Sequence, residues 1–309
     1  MATTITVSSN YSGKVAGEII GKSFKQADTL RLNLVNVLPD IDFQASIRRI
    51  EYGNGRTDYS CGFAPTGSMT LNEVLLTPKK IKNEQEICKE DLRQIWSSAT
   101  MGFSAHNDRM PADVEQALLA EILADTAEAT DEQIWQGDAA VDGQFDGFIK
   151  AFEADANVIK ANNGIVAGGA PITEANVLDE LKKVLTAIPL TIRRNELIVA
   201  VSPDVMNAYS FYLTTQGILN TGDPFLKEMR FAQYTLTEVN GLPANTIVAY
   251  ERKNLNFGTG LLADHNEIRI SDMDEAGLLT GNVRYKMVYT AGVQYVRPED
   301  VVYYLSTTV

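Results

Sequence analysis

The chain has 309 residues, of which 45% are hydrophobic and 22% charged, and its formal net charge is −13. This composition is close to that of average soluble globular proteins, so it excludes an intrinsically disordered chain and leaves room for one elaborated domain or two modest ones. The acidic balance argues against a surface that binds nucleic acid by neutralising its phosphates.

The first 45 residues are predicted to form an N-terminal arm rather than the opening of a domain. Residues 30–38 alternate apolar and polar side chains and are followed by Pro39, which is the pattern of an extended segment. An arm that packs on a neighbouring molecule would have this pattern, and so would the edge strand of a sheet.

Residues 46–90 are predicted to contain a long two-stranded hairpin that stands off the body. Glycine and proline interrupt the segment, and residues 68–81 have strand propensity but too few apolar side chains on either side to bury a sheet face. An isolated hairpin is marginal in water, so it would need a partner surface. The alternative is an ordinary irregular surface loop.

The strongest helix signal spans residues 111–136. Pro111 fits the first helical position, Asp113 and Glu115 lie in the first turn, where the helix dipole favours acidic side chains, and Gly137 fits the residue just past the end. Apolar residues recur at four-residue spacing at Val114, Leu118 and Ile122. At the standard rise the helix is about 39 Å long, which suits the spine of a domain.

Beyond residue 150, helices and strands follow one another without a regular βαβ repeat, which is typical of an α+β fold. The predicted elements are helices at 174–188 and 203–213, strands at 197–201, 235–239, 246–250 and 260–263, and a mostly strand-like segment at 282–305. Pro189 is expected to stop the first helix, and Ser202 and Pro203 to open the second.

No residue pattern indicates a catalytic, cofactor or metal site. His106 and His265 are the only histidines and neither has a nearby cysteine. Aspartates at 138, 142 and 146 lack the alternating ligands and terminal glutamate of a calcium loop. There is no phosphate-binding glycine loop, and no serine lies in a nucleophile elbow. We therefore predict a protein that is not an enzyme and that binds no cofactor or metal.

The same search gives expectations about the compartment. Cys61 and Cys88 are the only cysteines and are not spaced as a metal or redox pair, so we expect reduced thiols. Residues 1–9 lack the basic and apolar regions of a signal peptide, and no apolar run approaches the roughly 20 residues of a membrane span. We expect a soluble protein that is made in a cytoplasm.

Two motifs resemble the tailed-phage major capsid protein family, whose members have the Hong Kong 97 fold. The first is Ile134-Trp-Gln-Gly-Asp138 followed by Asp146-Gly-Phe-Ile149, which is similar to the family's turn after its spine helix. The second is residues 284–298 (RYKMVYTAGVQYVRP), which look like the family's closing strands. The order of the elements agrees from about residue 30 to 305.

The resemblance implies a division of the chain. Residues 1–45 would be the N-terminal arm, 46–90 an extended hairpin called the E-loop, 91–150 the P-domain with the spine helix, completed by about 280–309, and 151–279 the A-domain. Since the arm is short, scaffolding would come from a separate protein or be unnecessary. Lys79, Lys80 and Lys82 lie in the predicted loop, but no pattern identifies a partner for a covalent cross-link.

The resemblance also implies a function. The chain would be a major capsid protein that assembles through hexamers and pentamers into the icosahedral head of a tailed bacteriophage, enclosing double-stranded DNA without sequence-specific binding. Portal and scaffolding proteins would be further partners, with assembly in the bacterial host cytoplasm and final residence in the virion. The candidate inter-subunit contacts are Arg48, Arg49, Arg56, Lys79, Lys80, Arg297 and Glu299. The alternatives are an encapsulin-like nanocompartment shell and a carboxylate-dependent α+β enzyme.

Overall fold

The computed structural model describes residues 28–59, 61, 66–89, 112–161, 166–167, 171–193, 197–217, 229–260, 268–274 and 280–307. The α-helices within these ranges are α1 (Asp28–Arg31), α2 (Ala112–Gln136), α3 (Phe148–Ala154), α4 (Val177–Ala187) and α5 (Pro203–Thr215). The strands are β1 (Asn36–Leu38), β2 (Ala45–Tyr52), β3 (Met69–Leu76), β4 (Lys79–Cys88), β5 (Ile159–Lys160), β6 (Val166–Ala167), β7 (Leu197–Val201), β8 (Arg230–Phe231), β9 (Tyr234–Glu238), β10 (Thr246–Glu251), β11 (Leu255–Thr259), β12 (Ile268–Asp272), β13 (Asn282–Tyr295) and β14 (Val301–Thr307).

A five-stranded sheet is organised around β13. This strand pairs antiparallel with β4 on one edge and with β12 and β11 on the other, while β1 pairs parallel to β11. Every second side chain of β13 is buried: Val283, Tyr285, Met287, Tyr289 and Ala291. The predicted alternation therefore marks the face of β13 that packs on the core, which includes Ile122 and Trp135 of α2.

A seven-stranded sheet lies between two hydrophobic clusters, in the order β5-β14-β10-β7-β9-β8, with β6 also paired to β14. In β7, Val199 and Val201 belong to the cluster around α4 and α5, whereas Ala200 belongs to the cluster that contains Trp135. A strand buried on both faces needs apolar side chains at every position. This explains why residues 197–201 read as an unbroken apolar run.

The end of α2 is tied to α3 by two glycines of the first family-like motif. The Gly147 amide donates to the Gly137 carbonyl at 2.9 Å, and a Cβ on Gly147 would lie 2.6 Å from the Trp135 carbonyl oxygen. The backbones approach so closely that no side chain fits between them. The turn thereby brings Trp135, Phe148 and Phe152, all fully buried, into one aromatic cluster.

The segment at 30–38 is not extended throughout, as its alternation predicted. Residues 28–31 form α1, because the Thr29 amide donates to Asp131 Oδ1 at 3.0 Å and the Trp135 indole donates to Thr29 Oγ1 at 2.8 Å. Only β1 is extended, on the edge of the five-stranded sheet, so the edge-strand alternative holds for residues 36–38. Residues 1–27 of the predicted arm lie outside the described residues.

Other predicted elements differ from the structure at their boundaries. Helix α4 begins at Val177 rather than 174, because the Asn176 side chain accepts the Thr173 amide at 2.7 Å and makes a turn there. Strand β11 was not predicted, since asparagine and glycine within it have low strand propensity. The predicted strand at 260–263 lies, except for Gly260, outside the described residues.

The predicted division into four regions remains a prediction, but the strand pairing crosses its boundaries. Strands β11 and β12 fall in the predicted A-domain range yet pair with β13 in the sheet of β4. Strand β14 falls in the range expected to complete the P-domain yet pairs with β10 in the other sheet. Each sheet is therefore assembled from segments distant in sequence.

Candidate assembly surface

Strands β2 and β3 form an antiparallel hairpin that pairs with no other strand among those described. Its register runs from Ala45 opposite Leu76 to Tyr52 opposite Met69, and it continues for one further bond from the Gly53 amide to the Ser68 carbonyl at 2.7 Å. The prediction of a two-stranded hairpin, rather than an irregular loop, is confirmed.

The hairpin is shorter than the segment expected to form it. Residues 79–88 form β4, which pairs with β13 over its whole length. Lys79 and Lys80 therefore lie in the body of the protein and not in the projecting loop, which is a correction to the sequence interpretation. The cause is a partner strand that lies far away in sequence, which local propensity cannot reveal.

One face of the hairpin exposes apolar side chains in two successive rungs. Ile50 lies opposite Leu71 and Tyr52 opposite Met69. Their exposed fractions are 59% and 61% in the first rung and 69% and 72% in the second. Contiguous exposed apolar side chains at the end of a hairpin are typical of an interaction surface.

These four residues were missed because sequence analysis selected charged residues. The signal was present, since Ile50 and Tyr52 are two positions apart, as are Met69 and Leu71, and such residues share a strand face. Only the register between the strands shows that the two pairs lie side by side. Arg48 was predicted as a contact, and it lies on this same face, opposite Glu73.

The other face of the hairpin rests partly on the body through Arg49. Its guanidinium donates to the Val296 carbonyl at 3.2 Å and lies 3.4 Å from Glu299 Oε2. Arg49 also pairs with Glu51 on its own strand. The structure therefore brings two predicted inter-subunit contacts, Arg49 and Glu299, together within one chain.

The remaining predicted contact residues are dispersed. Arg56 is exposed near the end of the hairpin, Lys79 donates to the Ala139 carbonyl at 3.4 Å, and Lys80 is exposed on the outer face of β4. Arg297 lies 3.8 Å from Asp300 in the turn before β14. Their proposed role between subunits stays a prediction.

The outer face of the five-stranded sheet carries a ladder of charged side chains. Glu86 of β4 lies opposite Arg284 of β13, and Glu84 lies opposite Lys286. Hydrogen bonds from Asn282 and Arg284 lower the pKa of Glu86. Exposed pairs of this kind contribute little each, at most about 1 kcal/mol, so they shape the surface more than they stabilise it.

The aspartates that were tested as a calcium loop are held by a lysine. Lys150 Nζ lies 2.5 Å from Asp138 Oδ1 and 2.6 Å from Asp146 Oδ1. Hydrogen bonds to this ammonium group lower the pKa of both carboxyls. The positive charge that these oxygens attract is thus supplied by the chain itself.

Other chemistry-bearing residues were also followed. His106 and His265 lie outside the described residues. Within the part of the chain that the structure describes, there is no group of three or more side chains able to hold a metal ion. None of the described helices is long and apolar enough to cross a membrane.

No protein-family model and no curated protein sequence matches the chain. Solved structures do match it over nearly its whole length. The capsid of the native GTA particle is 13% identical with a TM-score of 0.57, covering 98% of this chain and 94% of that one. The capsid of Myoviridae phage XM1 is 13% identical with a TM-score of 0.59, covering 98% and 99%.

A third match, to Mycobacterium phage Che8, is 12% identical with a TM-score of 0.50 and covers 98% and 95%. Identities this low show a shared fold and nothing finer. The chain is therefore an α+β protein with the Hong Kong 97-type fold of tailed-phage capsids, as its sequence predicted.

Proposed function

We propose that the chain is the major capsid protein of a tailed bacteriophage, assembling through hexamers and pentamers into an icosahedral shell around double-stranded DNA. The observation that carries the proposal is the projecting hairpin with its exposed apolar rungs, Ile50 with Leu71 and Tyr52 with Met69. The shared capsid fold supports a structural rather than a catalytic role.

The occupant proposed for the hairpin face is a second copy of this chain. A two-stranded hairpin is marginal in water by itself, and fully burying a large apolar side chain stabilises by about 1.5–3 kcal/mol. Packing the two rungs against a neighbour would therefore stabilise both the hairpin and the contact. Repeated around a closed shell, such contacts add up although each is small.

The charge distribution is compatible with this role. Helix α2 contains seven acidic residues and no basic one, which are Asp113, Glu115, Glu121, Asp125, Glu128, Asp131 and Glu132. An acidic spine repels nucleic acid instead of binding it. A shell subunit of this kind would enclose DNA without sequence-specific contacts. Portal and scaffolding proteins as further partners, and assembly in the host cytoplasm, belong to the same proposal.

The proposal is tested by changing the hairpin face without changing its strand propensity. The double variant I50T/L71T replaces one apolar rung with threonine, which retains high strand propensity. We expect purified wild-type protein to form rings, tubes or shells in negative-stain electron microscopy, and the variant to remain small. Val141→Thr, at a residue 49% exposed outside the hairpin, is the control and should assemble normally.

Two outcomes would redirect the interpretation. Particles that contain protein cargo instead of DNA would favour a nanocompartment shell, which would use the same surface. Wild-type protein that remains a small species under every condition, alone and with its co-expressed neighbouring genes, would contradict the shell function and favour a soluble enzyme.

A further inference from the structure

The root of the hairpin packs over a pair of glycines in the five-stranded sheet. Gly258 of β11 and Gly292 of β13 lie directly opposite each other. A Cβ on Gly258 would overlap Cδ2 of Leu76 and lie 2.8 Å from Cδ1 of Ile41. Leu76 is the last residue of β3 and is only 1% exposed. The hairpin root therefore occupies the space that a side chain at Gly258 would fill.

The second glycine accommodates the link from β3 to β4. A Cβ on Gly292 would lie 3.0 Å from Cα of Pro78 and 3.2 Å from the Thr77 carbonyl oxygen. Neither Gly258 nor Gly292 has a positive φ. Glycine is required at both positions for space, because another backbone segment passes close by.

A second point of attachment lies farther along the hairpin. Arg49 reaches the Val296 carbonyl and Glu299, and its side chain is only 17% exposed. Between this point and the root, Gln294 Nε2 donates to the Leu75 carbonyl at 3.1 Å. A projecting element held at one point can pivot, whereas one held at two points along its length has a fixed direction.

We propose that Gly258 and Gly292 form a socket which, with Arg49 as a brace, sets the direction in which the hairpin leaves the body. The inference rests on the proposed function in one respect: this direction determines whether the apolar rungs meet a second copy. All three are positioning residues, since they act through the hairpin and not by touching the partner.

The geometry makes small changes at the root consequential. From Leu76 to Met69 the strand is about 23 Å long at the standard rise. A tilt of about 10° at the root would therefore displace the outer rung by about 4 Å. Apolar side chains are in contact only when their atoms approach within about 4–4.5 Å, so this displacement suffices to break the contact with a neighbour.

The test measures the direction of the hairpin in the unassembled subunit. Spin labels are placed on Cys61, which is exposed in the segment joining β2 and β3, and on Asn207→Cys on α5, in a Cys88→Ser background. The distance between the labels is measured by pulsed electron paramagnetic resonance at protein concentrations below those that give particles.

We expect Gly258→Ala to shift the mean distance by several ångströms and to reduce the yield of particles more than tenfold. Gly292→Ala should have a smaller effect on both, because its neighbour lies 3.0 Å away and needs to move less. The double variant G258A/L76A should return the distance toward the wild-type value, because removing the Leu76 methyl groups frees the space.

A wild-type distance in G258A would overturn the socket, and so would a shift that G258A/L76A does not reduce. If G258A fails to fold, the same measurement on G292A and on Arg49→Met decides: the first should shift the distance and the second should broaden it, and unchanged distances in both contradict the proposal. Failure of the proposed function looks different. Wild-type protein would then form no particles, while the distance in G258A would still change.

Discussion

At the residue scale, buried polar contacts hold the start of the described chain against α2. The Trp135 indole and Thr29 Oγ1, both completely buried, form a hydrogen bond of 2.8 Å. Asp131, which accepts the Thr29 amide at 3.0 Å, is also buried, and that burial raises its pKa. Since buried polar groups are costly without partners, these contacts fix where the chain enters the body.

Thr29→Val should destabilise the protein by about 1–3 kcal/mol, because it leaves the Trp135 indole N–H buried without an acceptor. Urea denaturation of the single variants Thr29→Val and Trp135→Phe, and of the double variant, checks this. The double variant should cost less than the sum of the singles, with a coupling of about 1 kcal/mol. Additive effects would show that the hydrogen bond does not stabilise the fold.

A second residue-scale contact joins the end of β4 to the turn between β12 and β13. Lys89, 5% exposed, lies 2.7 Å from Asp272 Oδ1 and 2.8 Å from Asp274 Oδ2. The hydrogen bond from Lys89 lowers the pKa of Asp274. A carboxyl whose pKa is depressed by folding contributes stability above its unfolded pKa and loses it as the pH falls through the folded value.

The stability of the wild-type protein should therefore fall as the pH is lowered below about 4, the ordinary range of an aspartate. Asp274→Asn removes the titrating group, so the variant should be less stable at neutral pH and lose less on acidification. Unfolding free energies between pH 7 and pH 2.5 give both slopes. Parallel curves for the two proteins would rule out a contribution from Asp274.

At the element scale, the turn between α2 and α3 depends on the absence of a side chain at Gly147. A Cβ there would lie 2.6 Å from both the Trp135 carbonyl oxygen and the Gly137 nitrogen. Gly147→Ala should cost about 1–3 kcal/mol as an overpacking substitution, measured by thermal or urea unfolding. Gly143→Ala is the comparison, since its Cβ would meet nothing within 4 Å and only its positive φ of 80° opposes alanine. Equal costs for the two would contradict the packing explanation.

The elements differ in how far the sequence could predict them. Helix α2 and strand β7 were predicted almost to the residue, because capping signals and apolar periodicity are local. Strand β11 and the parallel pairing of Asn36 with Asn256 were not, since they depend on residues far apart in the chain. The apolar rungs of the hairpin lie between these cases: each strand shows its own alternation, but their coincidence on one face follows only from the register.

At the scale of the whole molecule, a rigid body carries one projecting element. The seven-stranded sheet is buried on both faces, and one hydrophobic cluster joins it to the five-stranded sheet through Trp135, Phe148 and Tyr289. The hairpin lies outside this shared core and exposes its apolar rungs. A rigid body with a projecting apolar arm suits repeated contacts between identical copies, which is the central claim of the proposed function.

Sedimentation velocity of the purified wild-type chain, with electron microscopy of its fractions, tests that claim most directly. The proposal predicts fast-sedimenting species that are rings, tubes or closed shells and that disappear in I50T/L71T. A single slow species for wild type under all conditions, or particles of undiminished yield in I50T/L71T, would contradict it.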